Sequence, residues 1–373
     1  MNYLQDQRVR LSLTRPFGRT LLLAFTILAA LTLSLEGLAR TPLIRERLPF
    51  QAYGTNHVQF ETQLRYLEAF VSQHGAPDCL ILGNSQSLRG IDPQVFMSAY
   101  QEHTGAQPNC YNFSIIGANI ATTVLFAQMM IARYDLYLII LGTNFLDYTE
   151  EQEYRWDKRF MENDWIAYQL GEWSARGWLL DRSYAFRVLT FISYGAPNGF
   201  NFEKVSKDID KWTEQLTAYG YGNSKTVYNL AEEVKPGAAK NFLAQFGDYT
   251  LSVLNLDGLE KIIQLAQEGG IQVFVVEMPY HPSLIELVDE SGNPHPQIDQ
   301  INAFIWQVNQ ELDAIATRYQ VPYWKTSDLE IYPGKGWHDR YHLNHNGGQV
   351  FSRWLAEKIT EAIEHGDLEG LGN

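Results

Sequence analysis

The sequence predicts an α/β domain on a parallel sheet, tethered by one N-terminal apolar helix. Two observations carry the fold class: short β-rich apolar runs recur along the chain, and segments with helical spacing separate them. A third, the uncharged run Thr20–Leu35 behind four arginines, carries the tether.

From the N-terminus, Arg8, Arg10, Arg15 and Arg19 precede TLLLAFTILAALTLSL. At 1.5 Å per helical residue this run spans ~24 Å, slightly short of a ~30 Å hydrocarbon core, so its ends would snorkel. A cleavable signal peptide and a buried core helix compete with the anchor, but Leu35–Arg40 offers no convincing small-x-small cleavage site. The arginine bias before the run, against Arg40, Arg45 and Arg47 after it, sets the N-terminus on the cytoplasmic side. The expected order is a tail at 1–19, an anchor at 20–39 and a connector at 40–76, followed by an extracytoplasmic α/β domain at 77–365 and a tail at 366–373. In that compartment Cys79 and Cys110, the only cysteines, are free to form a disulfide, or they are two small buried side chains.

Gln63–Gln73 reads as a helix leading into the domain. Strands are expected at Cys79–Leu82, Cys110–Phe113 and Leu136–Leu141, with helices at Asp92–Tyr100 and Asn119–Ala132 between them, a βαβαβ series with right-handed crossovers. The alternation stops over about 147–250, which holds five of the nine tryptophans (Trp156, Trp165, Trp173, Trp178, Trp212). Such an insertion is either a substrate-facing lid or a helical pack over the sheet. The pattern resumes with a helix at Leu256–Gln267, a strand at Ile271–Val276, a helix at Ile298–Tyr319, a strand at Val321–Trp324 and a closing helix from Gly347 to His365.

The 373 residues, 45% apolar and 19% charged, suit one large globular domain with an insertion. A net charge of −14 and a pI of about 5.1 exclude nucleic-acid binding as the main task.

Polar residues gather where open α/β sheets place ligands, at the carboxyl ends of strands. Gly83-Asn84-Ser85-Gln86 directly follows the first strand. Ser85 there is either a helix cap or a nucleophile beside free backbone N–H groups. His338-Asp339-Arg340-Tyr341-His342 precedes the last helix, and Asp339 and His342 are spaced so that the carboxylate can orient the imidazole as a general base. His338, Asp339, His342 and His345 also admit a metal reading, but no second ligand cluster supports it, so neither metal nor cofactor is expected. The turns Asn112–Gly117 and Gly142-Thr143-Asn144 could give oxyanion donors, the Gly117 N–H and the Asn144 amide, beside the Ser85 N–H. Equally, they are ordinary turns and caps.

In chain order, Gly83-Asn84-Ser85, Gly117, Gly142-Thr143-Asn144 and Asp339-Arg340-Tyr341-His342 resemble the four blocks of the SGNH, or GDSL-like, hydrolases. The resemblance covers about 77–145 and 256–362 and leaves out the insertion. It implies a flavodoxin-like three-layer α/β/α fold, with Ser85 as nucleophile, His342 as base, Asp339 as orienter, and Gly117 and Asn144 in the oxyanion hole. Two positions depart from the pattern: Asn84-Ser85-Gln86 stands for Asp-Ser-Leu, and Phe145 follows Asn144 where an Asp is usual, with Asp147 nearby. With Ser87–Pro93, these look more like the membrane-anchored branch that includes the D-alanyl-transfer protein for lipoteichoic acid and alginate O-acetylation proteins. That branch implies an esterase or O-acyltransferase acting on acyl esters of a cell-envelope glycan, beside a multi-pass membrane acyltransferase. A non-catalytic tethered binding or assembly protein is the competing reading.

Overall fold

A computed structural model describes residues 15–45, 52–153, 158–195, 202–227, 249–281, 298–326 and 335–371. Arg8, Arg10, Trp156 and the insertion's stretch 228–248 lie outside them. Five strands, β1 (Cys79–Leu82), β2 (Cys110–Asn112), β3 (Leu138–Thr143), β4 (Gln272–Glu277) and β5 (Tyr323–Trp324), form one sheet in the order β2-β1-β3-β4-β5. Every pairing is parallel. This is the flavodoxin-like order, whose switch point lies between β1 and β3.

The helices are α1 (Arg15–Ala39), α2 (Val58–His74), α3 (Ser85–Gly90), α4 (Pro93–Thr104), α5 (Ile120–Arg133), α6 (Asp164–Gln169), α7 (Ala175–Arg182), α8 (Tyr184–Gly195), α9 (Phe202–Gln215), α10 (Val253–Glu268), α11 (Ile298–Tyr319) and α12 (His345–Glu364). Short helical turns occupy Pro42–Arg45, Glu150–Glu153 and Lys158–Met161.

Strand alternation divides the core. Leu80, Leu82, Tyr111, Ile139, Leu141, Val273 and Val275 face one layer, where they meet Phe60 and Leu64 of α2, Phe126 of α5, Ile262 of α10 and Val308 of α11. Cys79, Ile81, Cys110, Leu138, Ile140, Phe274 and Val276 face the other, against Phe96 of α4 and Phe351, Leu355 and Ile359 of α12. The result is a three-layer α/β/α domain. Cys79 and Cys110 pair in register on neighbouring strands and are both buried and free, so the thiols act as core side chains.

Boundaries move by a few residues from the sequence reading, each for a local reason. The helix expected at Gln63 starts at Val58, because the His57 side chain accepts the Phe60 N–H and caps it. Asp92 and Asn119, expected inside helices, instead cap α4 and α5.

Most of the insertion's described part is helical, up to Gln215. Trp165 is buried and stacked on Tyr53 with ring centroids 3.8 Å apart, while Trp173 and Trp178 are exposed. Further on, Tyr219 O accepts the Asn112 N–H at 3.0 Å, so the chain closes over the β2 edge. Gly220 permits this with φ 79° and a backbone lying against Asn112 O, where any Cβ would collide.

α1 contains the apolar segment Gly18–Ala39, 22 residues, in which the most apolar 18-residue stretch has mean hydropathy 2.1 and none of that stretch is buried. It is long and apolar enough to cross a membrane.

Candidate functional site

The site forms at the carboxyl ends of β1, β2 and β3, on either side of the switch point. β1 is followed by Gly83, whose φ of 150° and whose contact with Ser87 and with Gly142 O, 2.6 Å from any added Cβ, leave room for no side chain. The tight turn lets α3 start at Ser85. Asn84 caps that helix by accepting the Gln86 N–H at 2.8 Å. Asn112 at the end of β2 closes its other end by donating to Ser87 O at 2.9 Å and Ile91 O at 2.8 Å.

Ser85 and His342, 257 positions apart, meet here: Ser85 Oγ lies 2.8 Å from His342 Nε2. His342 Nδ1 lies 2.7 Å from Asp339 Oδ2. The other carboxylate oxygen of Asp339 accepts the Tyr341 N–H at 3.0 Å and the His342 N–H at 2.8 Å. One turn of chain therefore fixes both carboxylate oxygens. With the carboxylate accepting at Nδ1, the imidazole carries its proton there and presents Nε2 as an acceptor for the serine hydroxyl.

Burial pulls the Asp339 pKa up. The bond and charge of His342, with the N–H groups of Tyr341 and His342, outweigh that pull and leave the carboxyl below the ordinary aspartate range. It is ionised at neutral pH. The Tyr341 ring packs over the imidazole with centroids 4.3 Å apart.

The remaining histidines of the cluster turn elsewhere. His338 Nδ1 lies 2.7 Å from Ser224 Oγ, and burial followed by the Arg89 charge lowers its pKa. His345 opens α12, and its N–H donates to Ser224 O at 2.7 Å. Ser224 thus brings the insertion against the histidine loop.

Of the expected oxyanion donors, Gly117 sits in the turn after β2 with φ 73°. That turn is tied to the serine turn by the Ile115 N–H, which donates to Gly83 O at 3.0 Å. Asn144 follows β3, and its amide donates to Gln86 Oε1 and, at 3.2 Å, to Asp147 Oδ2. Both amide hydrogens are therefore engaged, and an oxyanion at this amide would take the place of Gln86 Oε1.

Two further residues hold the site together, and sequence spacing did not mark their roles. Gln86 reaches across to the histidine loop, where its Nε2 donates to Tyr341 O at 2.8 Å. Asp147 accepts from Asn84 Nδ2 at 2.8 Å, from the Asn144 N–H at 3.0 Å and from Thr143 Oγ1 at 3.2 Å. The amide at 84 is therefore the partner of the carboxylate at 147.

Burial dominates Asp147 and pushes its pKa up to about 6, against the bonds from Asn144, Asn84 and Thr143 that lower it. The folded chain therefore holds a proton that the unfolded chain releases near the ordinary aspartate pKa. Stability falls as pH rises between that value and about 6, then levels off. Asp147→Asn removes this contribution. In urea unfolding from pH 4 to 7, the stability of the native chain minus that of the variant is expected to fall by up to ~1.4 kcal/mol per pH unit inside the window, and to be flat above it.

No family model and no curated protein matches the sequence. Among solved structures, the chain is similar to a provisionally assigned acylhydrolase of Bacteroides fragilis, at 11% identity and TM-score 0.36 over 82% of this chain and 96% of that one. It is also similar to a GDSL-like lipase of Bacteroides thetaiotaomicron, at 10% identity and TM-score 0.35 over 82% and 99%. A lipase from a goat rumen metagenome is similar at 12% identity and TM-score 0.33 over 76% and 96%.

Proposed function

We propose that this chain is a membrane-anchored serine esterase or O-acyltransferase working through an acyl-Ser85 intermediate. The observation that carries the reading is the Ser85–His342–Asp339 relay, with links of 2.8 Å and 2.7 Å at the mouth of a parallel sheet. In the first half-reaction Ser85 Oγ attacks the ester carbonyl carbon while His342 Nε2 takes its proton. Asp339 stabilises the imidazolium so formed. The carbonyl oxygen becomes an oxyanion, for which the Ser85 N–H, the Gly117 N–H and the Asn144 amide are the candidate donors. When the carbon–oxygen bond breaks, His342 returns the proton to the leaving alkoxide. The acyl-serine is then resolved by water or by a carbohydrate hydroxyl, with His342 again as base.

The acceptor of choice is a cell-envelope glycan, beside a multi-pass membrane acyltransferase. Two things support it: the apolar α1, and the likeness of Asn84-Ser85-Gln86, Phe145 and Ser87–Pro93 to the anchored branch of the SGNH hydrolases. The competing reading is a tethered binding protein that kept the fold.

A fluorophosphonate probe separates them. The full-length chain in detergent is expected to be labelled at Ser85, read by peptide mass spectrometry, and Ser85→Ala is expected to be blank. A native chain that stays unlabelled under conditions that label a control esterase would leave the binding reading standing.

A further inference from the structure

We propose that α8 is an interfacial membrane helix whose Leu189–Ile192 face rests at the headgroup–acyl boundary of the bilayer that α1 crosses. The proposal goes beyond the catalytic reading and rests on α1 being a membrane span.

Gly18–Ala39 comprises 22 residues, which at 1.5 Å each measure ~33 Å, about the thickness of the hydrocarbon core. Its carboxyl end therefore lies at one surface of the bilayer. Glu36, in the last turn, would be costly at that depth without partners. It has them: its carboxylate accepts from Ser183 Oγ at 2.7 Å, the Tyr184 N–H at 3.0 Å and the Ala185 N–H at 3.1 Å, and it pairs with Arg40 at 2.7 Å. Those N–H groups belong to the first turn of α8, so Glu36 caps a helix that lies 147 positions or more along the chain. Arg40 adds a bond of 2.9 Å to Arg182 O. The start of α8 is thereby fixed at the level where α1 leaves the membrane.

The composition of α8 suits that level. Its only ionisable side chain besides tyrosine is Arg187, which turns inward. Arg187 donates to Leu180 O at 2.6 Å and Asp181 O at 2.7 Å, and it lies over the rings of Tyr53 and Tyr184. The opposite side carries Leu189 and Ile192, 62% and 45% exposed and one turn apart. Twelve residues give ~18 Å, too short to cross a bilayer and suited to lying along its surface. Trp178, 47% exposed on α7, supplies the kind of ring that settles at headgroup depth. Continuity with the uncovered surface of α1 selects lipid as the occupant of this face.

The test uses the full-length chain in vesicles of phosphatidylcholine and phosphatidylglycerol. The variants Leu189→Cys, Ile192→Cys, Leu33→Cys and Val253→Cys are each labelled with an environment-sensitive fluorophore; Cys79 and Cys110 are buried and take no label. Lipids carrying a shallow nitroxide are expected to quench positions 189 and 192 by about twofold or more, as expected for burial at the acyl boundary. Lipids carrying a deep nitroxide should quench position 33, and position 253 should be unaffected by either.

Quenching at 33 without quenching at 189 and 192 would overturn the placement of α8 and keep the anchor. No quenching at 33, 189 or 192 would overturn both. A blue-shifted but unquenched label at 189 and 192 would mean that protein, either another segment or a second copy, covers the face, and would also overturn it.

Discussion

Replacing His342 with alanine is expected to cut turnover of p-nitrophenyl acetate by ~10⁴–10⁶-fold, since the members of a triad act as a unit. The imidazole is the only base within hydrogen-bonding distance of Ser85 Oγ among the described residues, at 2.8 Å. Without it the hydroxyl must give its proton to water; the p-nitrophenolate leaving group needs no protonation, so the whole loss falls on activation of the nucleophile. KM should change little, because the lost interaction operates in the transition state. The check is steady-state kinetics on the variant, with circular dichroism to verify the fold. A rate within a few-fold of the native chain would remove Ser85 and His342 from the mechanism.

Asp339→Asn is expected to lower kcat by ~10³–10⁴-fold with the fold intact. The asparagine oxygen can still accept the Tyr341 and His342 N–H groups that Asp339 Oδ1 accepts now, at 3.0 Å and 2.8 Å. At the other position an amide NH₂ replaces a carboxylate oxygen 2.7 Å from Nδ1. Two donors would then face each other unless the imidazole shifted its proton to Nε2, where it could no longer accept from serine. The carboxylate's pKa lies below the ordinary aspartate range. The native chain therefore keeps its orienter ionised at neutral pH, and the deficit of the variant should be present throughout pH 6 to 8. Unchanged urea unfolding together with the lost rate separates this tautomer effect from loss of structure.

Much of the architecture is legible in the sequence because it rests on local patterns. Strand runs such as Leu138–Leu141 and helices such as Ile298–Tyr319 leave periodic apolar traces, and the parallel order follows from their alternation. Asp339 and His342 are legible for a similar reason: a spacing of three places both on one turn, and their bond needs nothing from elsewhere. The bracing of the site is not legible. Gln86 meets Tyr341 O, and Asn84 meets Asp147, through side-chain bonds between distant segments, and such bonds leave no period in the sequence. The same holds for Glu36, which reads as a charge that ends an apolar run and in the structure caps α8. Edges such as Val58 shift because caps, and not hydrophobic spacing, decide where helices begin.

The bridge made by Gln86 has a kinetic meaning. Borne on the turn that carries the serine, its side chain reaches two others, those of the Asn144 amide and the histidine loop, and so opposes any drift of one of the three against another. The alignment that a free serine and imidazole would have to find by diffusion is already present when substrate arrives. By the same token, a fluctuation that loosens one turn is transmitted to the other two, so this rim of the sheet should open and reclose as one cooperative unit.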